Sequence, residues 1–156
     1  VFGKRRSNMM RHRVGLCDSR NGRTVGTLVE HLEGVMDTKT IAEALVAGCR
    51  EGREAENLGR LYAEDAVSVE AADQGGGREA HGLEAIRAKH AWWDENVEMT
   101  GGSVSDPMPH GEDRFAVIFE ASGRDKASGE AFDMREVAIY TVADGKIVRE
   151  EFFYGM

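Results

Sequence analysis

Nothing in these 156 residues approaches a long hydrophobic run, and no apolar stretch comes near the roughly 20 residues that span a bilayer, so no membrane partner is expected. Cysteine is nearly missing. Its two copies, Cys17 and Cys49, lack metal-type spacing, and Cys49 falls on the apolar side of an expected helix, where a buried free thiol is the plain reading. A reducing cytoplasm is then the default compartment. The histidines form neither a His-x-His nor a His-x₃-His pair, so no metal site is expected. There is no Gly-x-Gly-x-x-Gly, phosphate loop or nucleophile elbow, and Gly75-Gly76-Gly77 lacks the Lys and Ser/Thr of a phosphate cradle. No cofactor is therefore implied. Positive charge is also short: 20 Lys and Arg stand against 28 Asp and Glu, and a net charge of −8 disfavours nucleic acid as a partner.

What is present suits one soluble domain, with 41% hydrophobic and 31% charged residues. The charge is uneven. Residues 1–35 hold seven basic side chains (Lys4, Arg5, Arg6, Arg11, Arg13, Arg20, Arg23) and three acidic ones (Asp18, Glu30, Glu33), so the segment is +4 and the remainder −12 against the whole-chain −8. The segment has no sustained period of 2 or 3.6 and little to bury. A transit peptide would share its Arg-rich, acid-poor composition. The reading preferred here is different: Val1 matches a literally translated GTG codon, and Leu32-Glu33-Gly34 can encode a ribosome-binding GGAGG just upstream of Met36. Met36 is then the expected start and 1–35 an artefactual extension. If expressed, the segment should be mostly disordered apart from a short helix near Val25–Leu32. Residues 36–156 form the expected domain.

Within it, Asp37-Thr38 caps a helix whose Ile41, Leu45, Val46 and Cys49 recur at helical spacing. A second helix runs from Glu54 to Tyr62, with Gly59 read as a site of close helix packing. Ala66–Ala71 reads as a strand, Arg78–His81 as a short return, and Leu83–Asn96 as a third helix with Leu83, Ile86, His90 and Trp93 on one side. Val97–Val104, Arg114–Arg124, Glu130–Val142 and Lys146–Tyr154 read as strands, the last two joined by the strong hairpin signal Asp144-Gly145. Three helices followed by a long meander is an α+β order. A strongly curved, mostly antiparallel sheet covered by helices makes a cone with one pocket, and the sheet's other face suits a partner subunit, so a homodimer through the sheet is expected.

Three segments carry a family resemblance. Leu61-Tyr62-Ala63-Glu64-Asp65-Ala66-Val67 resembles the helix-to-strand junction of SnoaL-like and ketosteroid-isomerase-like proteins of the nuclear transport factor 2-like superfamily. His81-Gly82-Leu83-Glu84-Ala85-Ile86 resembles their entry to helix three, and Tyr140 to Glu150 their final hairpin. The resemblance implies a cystatin-like cone, but such a fold hosts many functions. In ketosteroid isomerases a carboxylate base follows the first segment, and Glu70 stands there. Their two oxyanion donors fall on Val46 and Ala138, so steroid isomerisation is not expected. SnoaL-like cyclases use an acid on the last strand. The nearest are Glu150 and Glu151, yet the matching place is closer to Phe152, which leaves polyketide ring closure unsupported.

The candidate catalytic residues are Glu70, Tyr140, Glu136 and His81. Alternation puts Glu70 on the face of Ala66 and Ser68. An apolar cavity there would raise its pKa toward useful proton transfer; the alternative is a solvated strand acid. Glu136 shares a face with Met134, Ala138 and Tyr140, and a structural ion pair competes with a catalytic role. Tyr140 is a candidate oxyanion donor or simply core. His81 and His90 are candidate proton relays or structural residues. Tyr62, Trp92, Trp93 and Phe152 are the candidate ligand-binding residues. The functional expectation is a cofactor-free isomerase, cyclase or hydrolase acting on a small apolar carbonyl compound; the alternative is a non-catalytic ligand-binding or dimerisation module.

Overall fold

A computed structural model describes residues 35–73 and 75–155. The expectations for residues 1–34 lie outside the described residues. Asp37 starts α1 (Thr38–Arg50): its carboxylate accepts the Thr40 amide at 2.7 Å, satisfying one of the free donors of the first turn. The helix buries Ile41, Ala42, Leu45 and Val46 and stops before Gly52, whose φ of +67° belongs to the left-handed region. Next comes α2 (Glu54–Leu61), which buries Asn57, Leu58 and Leu61.

The close approach between these helices is at Gly48, not Gly59. A Cβ at Gly48 would strike the Asn57 side chain, whereas one at Gly59 would meet only the tip of Arg87, at 3.9 Å. Gly59 is exposed, so the close packing expected there is corrected. Helical spacing identifies a face, but not which small residue on it faces a neighbour.

Strand β1 (Tyr62–Val69) begins directly at the end of α2 and ends one residue before Glu70. The sequence places this strand later because its first half is specified by distant partners: Tyr62 pairs with Ile147, and Val67, Ser68 and Val69 pair in parallel with Arg149, Glu150 and Glu151. Beyond Val69 the chain turns and returns as β2 (Glu79–His81), antiparallel to β1. Helix α3 (Leu83–Asn96) matches the expected span but buries only Leu83 and Ile86; His90 and Trp93 are half-buried.

The remaining strands are β3 (Val97–Val104), β4 (Met108–His110), β5 (Arg114–Asp125), β6 (Ala131–Ala143) and β7 (Lys146–Tyr154). Short β4 pairs with β5 and carries Pro109, which lacks an amide donor and is tolerated at an edge; Pro109 and the preceding Pro107 hide it in the sequence. Asp144 and Gly145 both have positive φ, 50° and 72°, as the two-residue β6–β7 hairpin requires. The sheet order is β2-β1-β7-β6-β5-β3, with β4 beside β5, and all pairings are antiparallel except β1 with β7.

The chain is thus α+β, with three helices among the described residues on a mixed, mostly antiparallel, open sheet. The inner face contributes Phe115, Val117, Ala138, Tyr140, Val142 and Ile147 to the core that α1 and α2 cover. No helix of the described residues is long and apolar enough to cross a membrane.

Candidate functional site

Sheet register brings the polar residues of the inner face together. Ser68 of β1 pairs with Glu150 of β7, and Glu150 pairs with Tyr140 of β6, which pairs with Phe115 of β5. One step along, Phe152 pairs with Ala138, and one step further Tyr154 pairs with Glu136. Glu70 enters the same region just past the end of β1. Helix α3 lies against β1 and sends Lys89 over this surface.

Lys89 is the hub. Its Nζ donates to Glu70 Oε1 at 2.5 Å and to Ser68 Oγ at 2.7 Å, and lies 4.2 Å from the centre of the Phe152 ring. Glu150 Oε1 is 3.8 Å from the same nitrogen. The other oxygen of Glu70 accepts the Tyr154 hydroxyl at 3.0 Å. Glu150 is 1% exposed, and its Oε2 accepts the buried Tyr62 hydroxyl at 2.6 Å. Its Oε1 has no hydrogen-bond donor among the described residues.

Two carboxylates, Glu70 and Glu150, therefore face one ammonium, and the half-buried Glu136 feels all three charges. The imbalance falls on Glu136: burial first, then the negative charges of Glu70 and Glu150, push its carboxyl up to about 7, with Lys89 pulling the other way. Tyr62 and Tyr140 are held well above the usual phenol range, first by burial and then by Glu150. Both stay protonated as donors. Tyr140 also stacks on Phe115, with ring centres 4.9 Å apart. Burial lowers the His90 pKa and raises the half-buried Cys49 thiol to about 11, which makes that thiol a poor nucleophile.

Among the sequence-derived candidates, the structure brings Glu70, Glu136, Tyr140, Tyr62 and Phe152 to this one surface. Glu70 sits on the face that alternation assigns it, yet it is locked in an ion pair rather than standing in apolar surroundings. His81 lies on the exposed edge strand β2 and faces Glu79, with 3.0 Å between Nε2 and Oε2. Trp93 packs edge-on against Phe132, with centres 5.8 Å apart, and Trp92 is 56% exposed. Among the described residues, no hydrogen bond, ion pair or ring contact joins His81, Trp92 or Trp93 to Lys89, Glu70 or Glu150.

Sequence reasoning missed Lys89 and Glu150 as partners. Both left a signal: Lys89 is three residues from buried Ile86 on α3, and Glu150 alternates with Phe152 and Tyr154 on β7. Among the described residues, no three His, Cys, Asp or Glu side chains converge as metal ligands would. Two open concavities lie elsewhere, about 470 Å³ beside Ser103, Glu120 and Arg135 and about 260 Å³ beside Asp37 and Phe115. The chemistry argues for the Lys89 surface, because the charged side chains of the larger concavity, Glu120, Asp133 and Arg135, are exposed and already paired.

Comparison with known proteins agrees with the fold. The SnoaL-like domain profile matches residues 36–154. A structure from Mesorhizobium loti, named both a SnoaL-like polyketide cyclase and a carbohydrate phosphatase, is 41% identical with a TM-score of 0.69, over 73% of this chain and 96% of that one. A Xanthomonas campestris protein of unknown function with a cystatin-like fold is 21% identical with a TM-score of 0.64, over 78% and 92%. A Catenulispora acidiphila protein of ketosteroid-isomerase-like fold, in complex with trimethylamine, is 20% identical with a TM-score of 0.58, over 74% and 85%. No protein of curated function matches the chain.

Proposed function

The chain belongs to the SnoaL-like domain family, and from that premise we propose that it is a cofactor-free catalyst of proton transfer on a small carbonyl compound. The family fixes no reaction: a cyclase and a phosphatase, the two names its Mesorhizobium relative carries, need different chemistry. One observation supports the reading. Glu136, with a pKa of about 7, is divided between acid and base at neutral pH, where a general acid–base catalyst works best. As carboxylate it takes a proton from the carbon beside a carbonyl; as carboxylic acid it returns that proton to another atom of the substrate. Tyr140, kept protonated by burial, serves as donor to the developing enolate oxygen. In this reading Glu70, bound by Lys89 and Tyr154, sets the local charge rather than taking the proton, and His81 has no part. Isomerisation and aldol-type ring closure both use such a step; in hydrolysis the same carboxylate would instead take the proton of an attacking water.

The test is exchange of carbonyl α-protons in D₂O across a panel of small ketones and aldehydes. The expected result is exchange that rises through an apparent pKa near 7 and falls about 10²–10⁴-fold in Glu136→Gln. Exchange at the buffer rate in the native protein, or equal rates in the variant, would overturn the proposal. A ligand-binding module without catalysis is the second reading, favoured by the position of both concavities outside the cluster.

A further inference from the structure

The four groups around Lys89 Nζ are a complete receptor for an ammonium ion: a carboxylate at 2.5 Å, a hydroxyl at 2.7 Å, an aromatic face at 4.2 Å and a second carboxylate at 3.8 Å. Each is what desolvated ammonium recognition uses. Lys89 is a tethered occupant, held by two hydrogen bonds and an aromatic face. Its side chain is 29% exposed and hangs from α3 on a four-carbon stem, so an incoming amine competes with it through rotation of that side chain. It also leaves the receptor undersatisfied. Among the described residues, Glu150 Oε1 is buried and has no hydrogen-bond donor, with Lys89 Nζ 3.8 Å away. A buried carboxylate oxygen without a donor costs free energy that a better-placed N–H would recover.

We propose that this seat binds the protonated primary or secondary amine of a small-molecule ligand, and that Lys89 fills it until the ligand arrives. The proposal deepens the reading above, on whose site it rests, and makes the substrate class a carbonyl compound carrying an ammonium group. The volume that Lys89 vacates admits the ammonium and a short alkyl stem, and the rest of the ligand follows the lysine's path to solvent. Because Glu70 and Ser68 accept hydrogen bonds, the guest needs N–H donors; a quaternary ammonium offers only its charge to Phe152.

The test measures binding without turnover, so it stands or falls apart from the proton-transfer reading. Native protein and Lys89→Met, which keeps most of the stem's packing, are titrated with n-butylammonium, tetramethylammonium, 1-pentanol and butyrate. Binding is followed by the ring signals of Phe152 and by thermal shift. Saturable binding of n-butylammonium is expected in both proteins, tighter in Lys89→Met because no tethered amine competes. Tetramethylammonium should bind at least about tenfold more weakly, and Glu150→Gln should weaken n-butylammonium by about tenfold or more. Lys89→Met should fold, as its two-dimensional NMR spectrum will show; if it does not, the native protein alone decides. No saturation of the native protein by n-butylammonium, or equal affinity for 1-pentanol, would overturn the proposal.

Discussion

Glu136 shows at the scale of one residue how a site is set by its surroundings. Its unfolded pKa lies near 4.5 and its folded pKa near 7. Below pH 4.5 both states hold the proton and the residue costs nothing. As pH rises toward 7 the unfolded state releases its proton first, so stability is lost across that window. Glu136→Gln removes the titration. It should match the native protein near pH 4 and exceed it by roughly 1–3 kcal/mol at pH 8, as urea midpoints at the two pH values will show. Two glycines give a second contrast. Gly48→Ala should cost roughly 1–3 kcal/mol by driving into Asn57. Gly59→Ala meets only the flexible tip of Arg87 at ordinary contact distance and should gain up to about 1 kcal/mol through helix propensity. Reversal of these signs in thermal denaturation would show that α1 and α2 pack differently.

Elements were legible where local chemistry specifies them. The Asp37 cap, the span of α3 and the Asp144-Gly145 hairpin all follow from residues within a few positions of one another. The early start of β1 and the existence of β4 do not, because each depends on a strand far along the chain. Helix α3 adds a long-range stop that its sequence does not announce. Lys126, in the β5–β6 turn, donates to the carbonyls of Asp94 and Glu95 at 2.7 and 3.0 Å, and its amide donates to Asn96 O. A cation at the negative end of a helix satisfies orphan carbonyls and the dipole together. Lys126→Ala should cost about 0.5–1 kcal/mol and speed amide exchange in the last turn of α3, while exchange in α1 stays unchanged.

For the whole molecule, the outer sheet face raises the question of assembly. Ile118, Val137 and Phe153 form a cross-strand apolar row over β5, β6 and β7, and Phe153 is 52% exposed. We propose that a second copy covers this row. Light scattering at micromolar concentration should give a dimer mass, and Val137→Glu should halve it; a monomeric native protein would sink the idea.

The sequence by itself determined the α+β class, the family, the order of the elements apart from β4, and which neighbours share a strand face with Glu70, Glu136 and Tyr140, because periodicity and turn chemistry act over a few residues. Only tertiary structure decided what those groups do to one another. The Lys89 ion pair, the Tyr62–Glu150 hydrogen bond and the displaced pKa of Glu136 join residues up to 88 positions apart. Electrostatic energy depends on separation in space and on burial, and neither quantity is written along the chain.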